Sequence, residues 1–146
     1  MAAESAERIV AVLNEKSTLT NPEDPIYEVP NGDITFNNVS FKYSTKADRN
    51  ALENINLHIK SGQTIGILGG TGSSKTSLIQ LISRLYDTTE GDVLVGGHNV
   101  KDYDLVTLRD QVAVVLQKNE LFSGTIAENL RWGNKDATDE EIKAAC

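Results

Sequence analysis

The chain has 146 residues, of which 39% are hydrophobic and 24% charged, with a net charge of −7. This length and composition suit one domain with one sizeable core, and they exclude a disordered or membrane-embedded chain. No apolar run reaches the ~20 residues that a transmembrane helix needs, and the acidic balance argues against nucleic acid as a partner, because it repels phosphate backbones.

The first 30 residues are predicted to form a helix and a linker, ahead of a domain over residues 31–146. Apolar side chains recur at helical spacing between residues 4 and 16, at Ala6, Ile9, Val10 and Leu13. Residues 17–30 are polar and contain all three prolines of the chain, which is typical of a linker.

Short apolar runs then predict a series of strands. Two alternating runs, over residues 34–43 and 52–59, have the period of half-buried strands, and residues 91–95 form a shorter one. Residues 64–68 predict a short apolar strand that runs directly into two glycines. Residues 112–116 are almost continuously apolar, as expected of a strand that is buried on both faces of a parallel sheet.

Helices are predicted from their apolar spacing and their first residues. A helix follows the glycines, with apolar positions at Leu78, Ile79, Ile82, Leu85 and Tyr86. Asp104 is a candidate N-cap for a short helix. Thr125 with Glu128, and Thr138 with Glu141, fit the capping box that precedes a helix.

The strongest chemical signal is the run Gly-Gly-Thr-Gly-Ser-Ser-Lys-Thr at residues 69–76, between a predicted strand and a predicted helix. It is close to the P-loop pattern G-x-x-x-x-G-K-[ST], in which backbone N–H groups cradle phosphates at a helix N-terminus. Lys75 would reach the β- and γ-phosphates of ATP, and the Thr76 hydroxyl would bind Mg²⁺. The candidate phosphate contacts are Gly70, Thr71, Gly72, Ser73, Ser74, Lys75, Thr76 and Ser77.

Ser74 departs from this pattern, because it stands where the second glycine is expected. If the position needs a positive φ or a very close phosphate, the β-carbon of serine costs about 1–3 kcal/mol. If its dihedral angles are helical, serine costs almost nothing. The sequence leaves both alternatives open.

Two other nucleotide motifs fit less well. A dinucleotide fingerprint would need a third glycine where Lys75 stands. A guanine-specificity motif of the form N-K-x-D would need an acid at Ala137, one residue after Asp136. The simplest interpretation of residues 134–137 is a polar loop before the Thr138 cap.

Beyond the loop, four segments occur in an order that resembles the nucleotide-binding domain of ABC exporters of the multidrug and lipid-flippase type. They are DITFNNVSFKY, ALENINLHIKSGQTIGILGGTGSSKTSLIQLISRLYDTTEGDVLVGG, LRDQVAVVLQKNELFSGTIAENL and DATDEEIKAA. The resemblance implies an α/β fold: a truncated P-loop NTPase (RecA-like) core with an antiparallel β subdomain and an N-terminal helical extension.

The resemblance also implies roles for residues outside the loop. Tyr43 matches the aromatic residue that stacks on adenine, and Gln117 matches the Q-loop glutamine, which meets Mg²⁺ together with Thr76. Residues 118–126 match the region that contacts the transmembrane coupling helices. Phe122 in this region fits either an exposed apolar contact or a core residue.

As a function, the resemblance implies ATP-driven export by a longer protein at the cytoplasmic face of the cell membrane. Its partners would be a transmembrane domain of the same protein and a second nucleotide-binding domain, in a homodimer or a heterodimer. The Walker B aspartate, the catalytic glutamate and the LSGGQ signature do not occur in these 146 residues. We therefore expect a soluble, truncated piece with ATP and Mg²⁺ as cofactors, no catalytic residue of its own and no turnover. The alternative is a non-hydrolysing structural module with an altered loop.

Overall fold

A computed structural model describes residues 2–118 and 120–146, with side chains from residue 5 onwards. In chain order, its elements are α1 (Ala2–Leu13), β1 (Ile34–Phe41), β2 (Leu52–Ile59), α2 (Lys75–Ile82), β3 (Glu90–Val95), β4 (His98–Asn99), α3 (Leu105–Asp110), α4 (Ile126–Leu130) and α5 (Asp139–Ala145). The chain divides into two compact units, one ending at Ala113 and the other beginning at Val114. The predicted division between residues 30 and 31 stays a prediction.

The first unit is built on a four-stranded antiparallel sheet with the order β2-β1-β3-β4. In the central strand, Phe36 pairs with Leu57 on one side and with Val93 on the other. Residues three apart in a regular strand point to opposite faces, yet Phe36 and Val39 are both fully buried. The register shift between them, where Asn38 has a φ of 48°, explains this, because a bulge turns the following side chains over.

The core lies between this sheet and α2. Leu78 and Leu81 of α2 pack with the inner side chains of the sheet, which keeps the helix close to β1 and β3. Tyr103 is fully buried, and its hydroxyl donates a 2.7 Å hydrogen bond to the carbonyl oxygen of Val95. This bond satisfies a polar group that would otherwise be buried without a partner.

Hydrogen bonds hold the segment before the sheet against the residues that precede α3. The N–H of Ile26 donates to the carbonyl oxygen of Asp102 at 2.8 Å, and the N–H of Asp104 donates to the carbonyl oxygen of Ile26 at 3.0 Å. The side-chain amide of Asn21 donates to the Asp104 carboxylate at 2.5 Å. Residues 21–26 therefore follow a defined path.

Two arginines organise the C-terminal end of α2. The guanidinium of Arg109, from α3, donates to the carbonyl oxygens of Arg84 at 2.8 Å and Ser83 at 3.3 Å. Cations stabilise this end of a helix, where carbonyl groups lack partners within the helix. Arg84 has a φ of 47° and is itself buried, paired with Asp87 at 2.8 Å.

The predicted helix caps are confirmed. The Asp104 carboxylate accepts from the N–H of Thr107 at 2.9 Å, and this bond is the main reason that the pKa of Asp104 is lowered. Both capping boxes form at the starts of α4 and α5, and backbone hydrogen bonds within them lower the pKa values of Glu128 and Glu141. Across the residues described, the helices are too short or too polar to cross a bilayer.

Two predicted strands are wrong. Residues 64–68 and 112–116 belong to no strand, and Leu68 and Val115 are 97% and 87% exposed. An apolar run indicates a tendency to be buried, but a strand also needs a neighbour to accept and donate its hydrogen bonds. Among the described residues, neither segment is part of the hydrogen-bonded sheet.

Candidate functional site

The Lys75 ammonium is the centre of the glycine-rich loop. Its Nζ donates to the carbonyl oxygens of Gly69 at 2.7 Å and Gly70 at 2.8 Å, and to the Ser73 hydroxyl at 3.1 Å. The loop therefore curves around a positive charge, and the predicted contact of Lys75 with phosphates stays a prediction. The contact to Gly69 was not foreseen, because the motif assigns no role to that carbonyl group.

Ser74 adopts the left-handed conformation, with φ 60° and ψ 22°. Of the two alternatives that the sequence leaves open, this is the one in which glycine is favoured. A residue with a β-carbon in this conformation costs about 1–2 kcal/mol. The Ser74 side chain makes no capping hydrogen bond to α2 that would offset that cost.

Helix α2 begins directly after the loop and presents two hydroxyl groups in its first turn. Thr76 is exposed, whereas Ser77 is only 3% exposed. The first turn contains no acidic side chain that would neutralise the positive end of the helix dipole. The loop-facing end of the helix therefore favours an anion.

Tyr43 follows β1 and lies against the start of α2. Its ring packs edge-on against Phe41 and Tyr86, with centroid distances of 4.8 and 5.2 Å. Its hydroxyl shares a 2.6 Å hydrogen bond with the Ser77 hydroxyl and donates to the side-chain oxygen of Gln80 at 3.4 Å. The Tyr43 side chain nevertheless stays 56% exposed, so part of its ring is free for contact.

The structure brings most of the predicted site residues together around one hollow. The hollow has a volume of about 320 Å³ and is lined by Tyr43, Gly72, Ser73, Ser74, Lys75, Thr76 and Ser77. Gly70 and Thr71 lie in the same loop and are exposed, but they do not line the hollow. The sequence motif alone could not predict that Tyr43 reaches the loop, because 26 or more residues separate them along the chain.

The second unit carries the remaining predicted residues. Gln117 is exposed in a bend of this unit, and its role stays a prediction. Phe122 is 62% exposed, which decides between the two alternatives for it, and its ring stacks on Trp132 at a centroid distance of 4.4 Å. Trp132 was not predicted, since no local pattern pairs residues on either side of α4. Residue 119 of the predicted coupling segment lies outside the described residues.

The comparison with protein families decides the identity. A family model described as "ABC transporter" matches residues 52–146. The chain belongs to the ABC transporter family. The predicted resemblance to exporter nucleotide-binding domains is thereby confirmed, together with the α/β fold class of the P-loop NTPases.

Relatives and solved structures agree with this membership. The chain is 41% identical over 146 residues to the "Uncharacterized ABC transporter ATP-binding protein YknV" of Bacillus subtilis (strain 168), covering 99% of this chain and 24% of the relative. It is 43% identical over 114 residues to the "ABC multidrug transporter MDR5" of Trichophyton rubrum, covering 77% of this chain and 9% of that protein. A bacterial Atm1-family ABC exporter, solved with ATP bound, superposes with a TM-score of 0.86 at 28% identity, over 96% of this chain and 24% of the exporter chain. The chain thus spans about a quarter or less of the length of these ABC proteins.

Proposed function

We propose that this chain is the ATP-binding part of an exporter, and that it holds Mg-ATP between Tyr43 and the P-loop. The observation that carries the proposal is the hollow in which Lys75 and the first turn of α2 meet an exposed tyrosine ring. Relatives of this chain support it, since one is named as an ATP-binding protein and a superposed exporter contains ATP.

The phosphate end of the hollow fits a triphosphate. An ammonium group has three donors, and the Lys75 group uses all three on Gly69, Gly70 and Ser73. A phosphate oxygen must therefore replace at least one of these acceptors. The exchange is favourable because a charged acceptor makes a stronger hydrogen bond than a carbonyl oxygen does.

The residues predicted to hold Mg²⁺ also have suitable chemistry. Mg²⁺ prefers oxygen ligands and is usually held by few protein groups together with phosphates and water. Thr76 offers an exposed hydroxyl in the first turn of α2, and Gln117 offers an amide oxygen. When bound, the metal ion would neutralise charge on the phosphate oxygens.

At the other end, Tyr43 would stack on adenine. Base–aromatic stacking is worth about 1–3 kcal/mol, and the exposed part of the ring leaves room for it. Phe41 and Tyr86 hold the ring edge-on, so that little side-chain freedom is lost when a base binds.

In the whole protein, we propose that this part drives export together with a transmembrane domain and a second nucleotide-binding domain, on the cytoplasmic side of the membrane. Phe122 supports the contact with the transmembrane domain, because it is an exposed aromatic residue in the predicted coupling segment. Hydrolysis would need a catalytic carboxylate, and we expect none within these 146 residues. A steady-state assay should find no ATP turnover above that of Lys75→Ala, and turnover that this substitution abolishes would contradict the expectation.

The test of nucleotide binding is equilibrium unfolding with and without Mg-ATP. At about 100 times Kd, a ligand that binds only the folded state adds roughly 2.7 kcal/mol to the free energy of unfolding. Lys75→Ala should remove this gain. Lys60→Ala is the matched control, because Lys60 is an exposed lysine outside the loop, and it should keep the gain.

Two observations favour the second candidate, a structural module that does not bind nucleotide. Ser74 is strained in the left-handed conformation, and the Lys75 ammonium already has three acceptors. An unfolding free energy that Mg-ATP leaves unchanged, in a chain that is otherwise folded, would establish this candidate and exclude ATP binding.

A further inference from the structure

The Tyr43 hydroxyl and the Ser77 hydroxyl form the one side-chain contact described here between the aromatic end of the hollow and its phosphate end. They are 2.6 Å apart, which is a short distance for two hydroxyl groups. Ser77 is almost completely buried and is fixed by the backbone of α2, whereas Tyr43 stands on the segment after β1. The rigid partner in this bond is therefore the serine.

Apart from this bond, the Tyr43 side chain has two T-shaped ring contacts and a long hydrogen bond among the contacts described. Phe41 and Tyr86 pack against the ring at interplanar angles of 72° and 88°. These contacts alone restrict movement of the Tyr43 hydroxyl toward or away from α2 less than the bond to Ser77 does. The side-chain oxygen of Gln80 is a weaker second anchor, since its distance to the Tyr43 hydroxyl is 3.4 Å.

We infer that Ser77 is a positioning residue, which holds the Tyr43 ring at the angle that a nucleobase needs and thereby contributes to selection for a base. This inference rests on the proposed binding of ATP and goes further, because it assigns the buried hydroxyl a role at the base end of the site. The Tyr43 hydroxyl donates its single proton to the side-chain oxygen of Gln80, so the Ser77 hydroxyl donates to Tyr43.

The experiment separates the two ends by comparing two probes. Calorimetric titrations of the full chain with Mg-ATP and with magnesium tripolyphosphate give two dissociation constants, and their ratio isolates the contribution of adenosine. Any loss of a direct Ser77–phosphate bond affects both probes and cancels in the ratio. A loss of ring position affects ATP alone.

We expect Ser77→Ala to reduce the preference for ATP about threefold to tenfold, which is the range of one net hydrogen bond. Tyr43→Phe keeps the ring and should reduce the preference by at least the same factor, because it also removes the weaker bond to Gln80. The double variant should be no worse than Tyr43→Phe alone, because that substitution already removes the bond to Ser77. Ser77→Thr keeps a hydroxyl and should restore the preference.

The matched control is Ser83→Ala, which removes another buried serine hydroxyl next to α2 that has no contact with Tyr43. It should leave the ratio unchanged. An unchanged ratio in Ser77→Ala, or losses that multiply in the double variant, would overturn the inference while ATP binding itself stands. Failure of the unsubstituted chain to bind either probe would instead overturn the proposed function, and the inference with it.

Discussion

Replacing Ser74 with glycine tests the backbone of the loop most directly. The present φ of 60° places the serine β-carbon against its own backbone, at a cost of about 1–2 kcal/mol. Glycine removes this cost, but its greater conformational entropy stabilises the unfolded chain by about 0.4–1 kcal/mol. The difference predicts that Ser74→Gly raises the free energy of unfolding by about 0.5–1 kcal/mol, or Tm by about 2–3 °C.

All four tyrosines precede Ala113, so tyrosine absorbance during urea unfolding reports the unit that contains the loop. Ser74→Ala is the matched control, because it removes the hydroxyl but keeps the β-carbon. Its stability should stay within about 0.5 kcal/mol of the unsubstituted chain, since the hydroxyl makes no capping bond. If Ser74→Gly is no more stable than Ser74→Ala, the loop is not strained at this residue and the reasoning is refuted.

Three further substitutions test other parts of the structure. Tyr103→Phe removes the hydroxyl that donates to the buried carbonyl oxygen of Val95. It should lower the free energy of unfolding of the first unit by about 1–3 kcal/mol, measured by urea unfolding. A smaller loss would mean that water replaces the hydroxyl. Because the pKa of Asp104 is lowered in the folded state, its stabilising effect is present above the ordinary aspartate pKa and is lost as the pH falls through the lowered value. Urea midpoints measured between pH 6 and pH 3 should therefore fall less steeply in Asp104→Asn, and parallel curves would contradict the assignment. Phe122→Ala removes the ring stacked on Trp132, the one tryptophan of the sequence, and should change its fluorescence without altering the tyrosine signal of the other unit.

The features that the sequence predicted correctly depend on neighbours in the chain. The caps at Asp104, Thr125 and Thr138 each need a partner only three residues away, so the local pattern contains the whole interaction. The alternating runs of β1 and β2 were equally informative, because each strand found an antiparallel neighbour in the same sheet.

The features that it could not predict depend on distant parts of the chain. Residues 64–68 and 112–116 have the composition of strands, but composition cannot reveal whether a pairing partner is present. The φ of Ser74 was open, because serine is found in both conformations at different cost. The bond from Tyr43 to Ser77 follows only from folding the sheet onto α2.

Side-chain hydrogen bonds hold helix α2 near both of its ends. Tyr43 is bonded to its first turn, and Arg109 draws together the carbonyl groups where it finishes. A helix this short moves largely as one body, so a change in the hydrogen bonds at one end alters the position of the other end. We therefore expect a substitution at Arg109 to affect the glycine-rich loop at the other end of the helix.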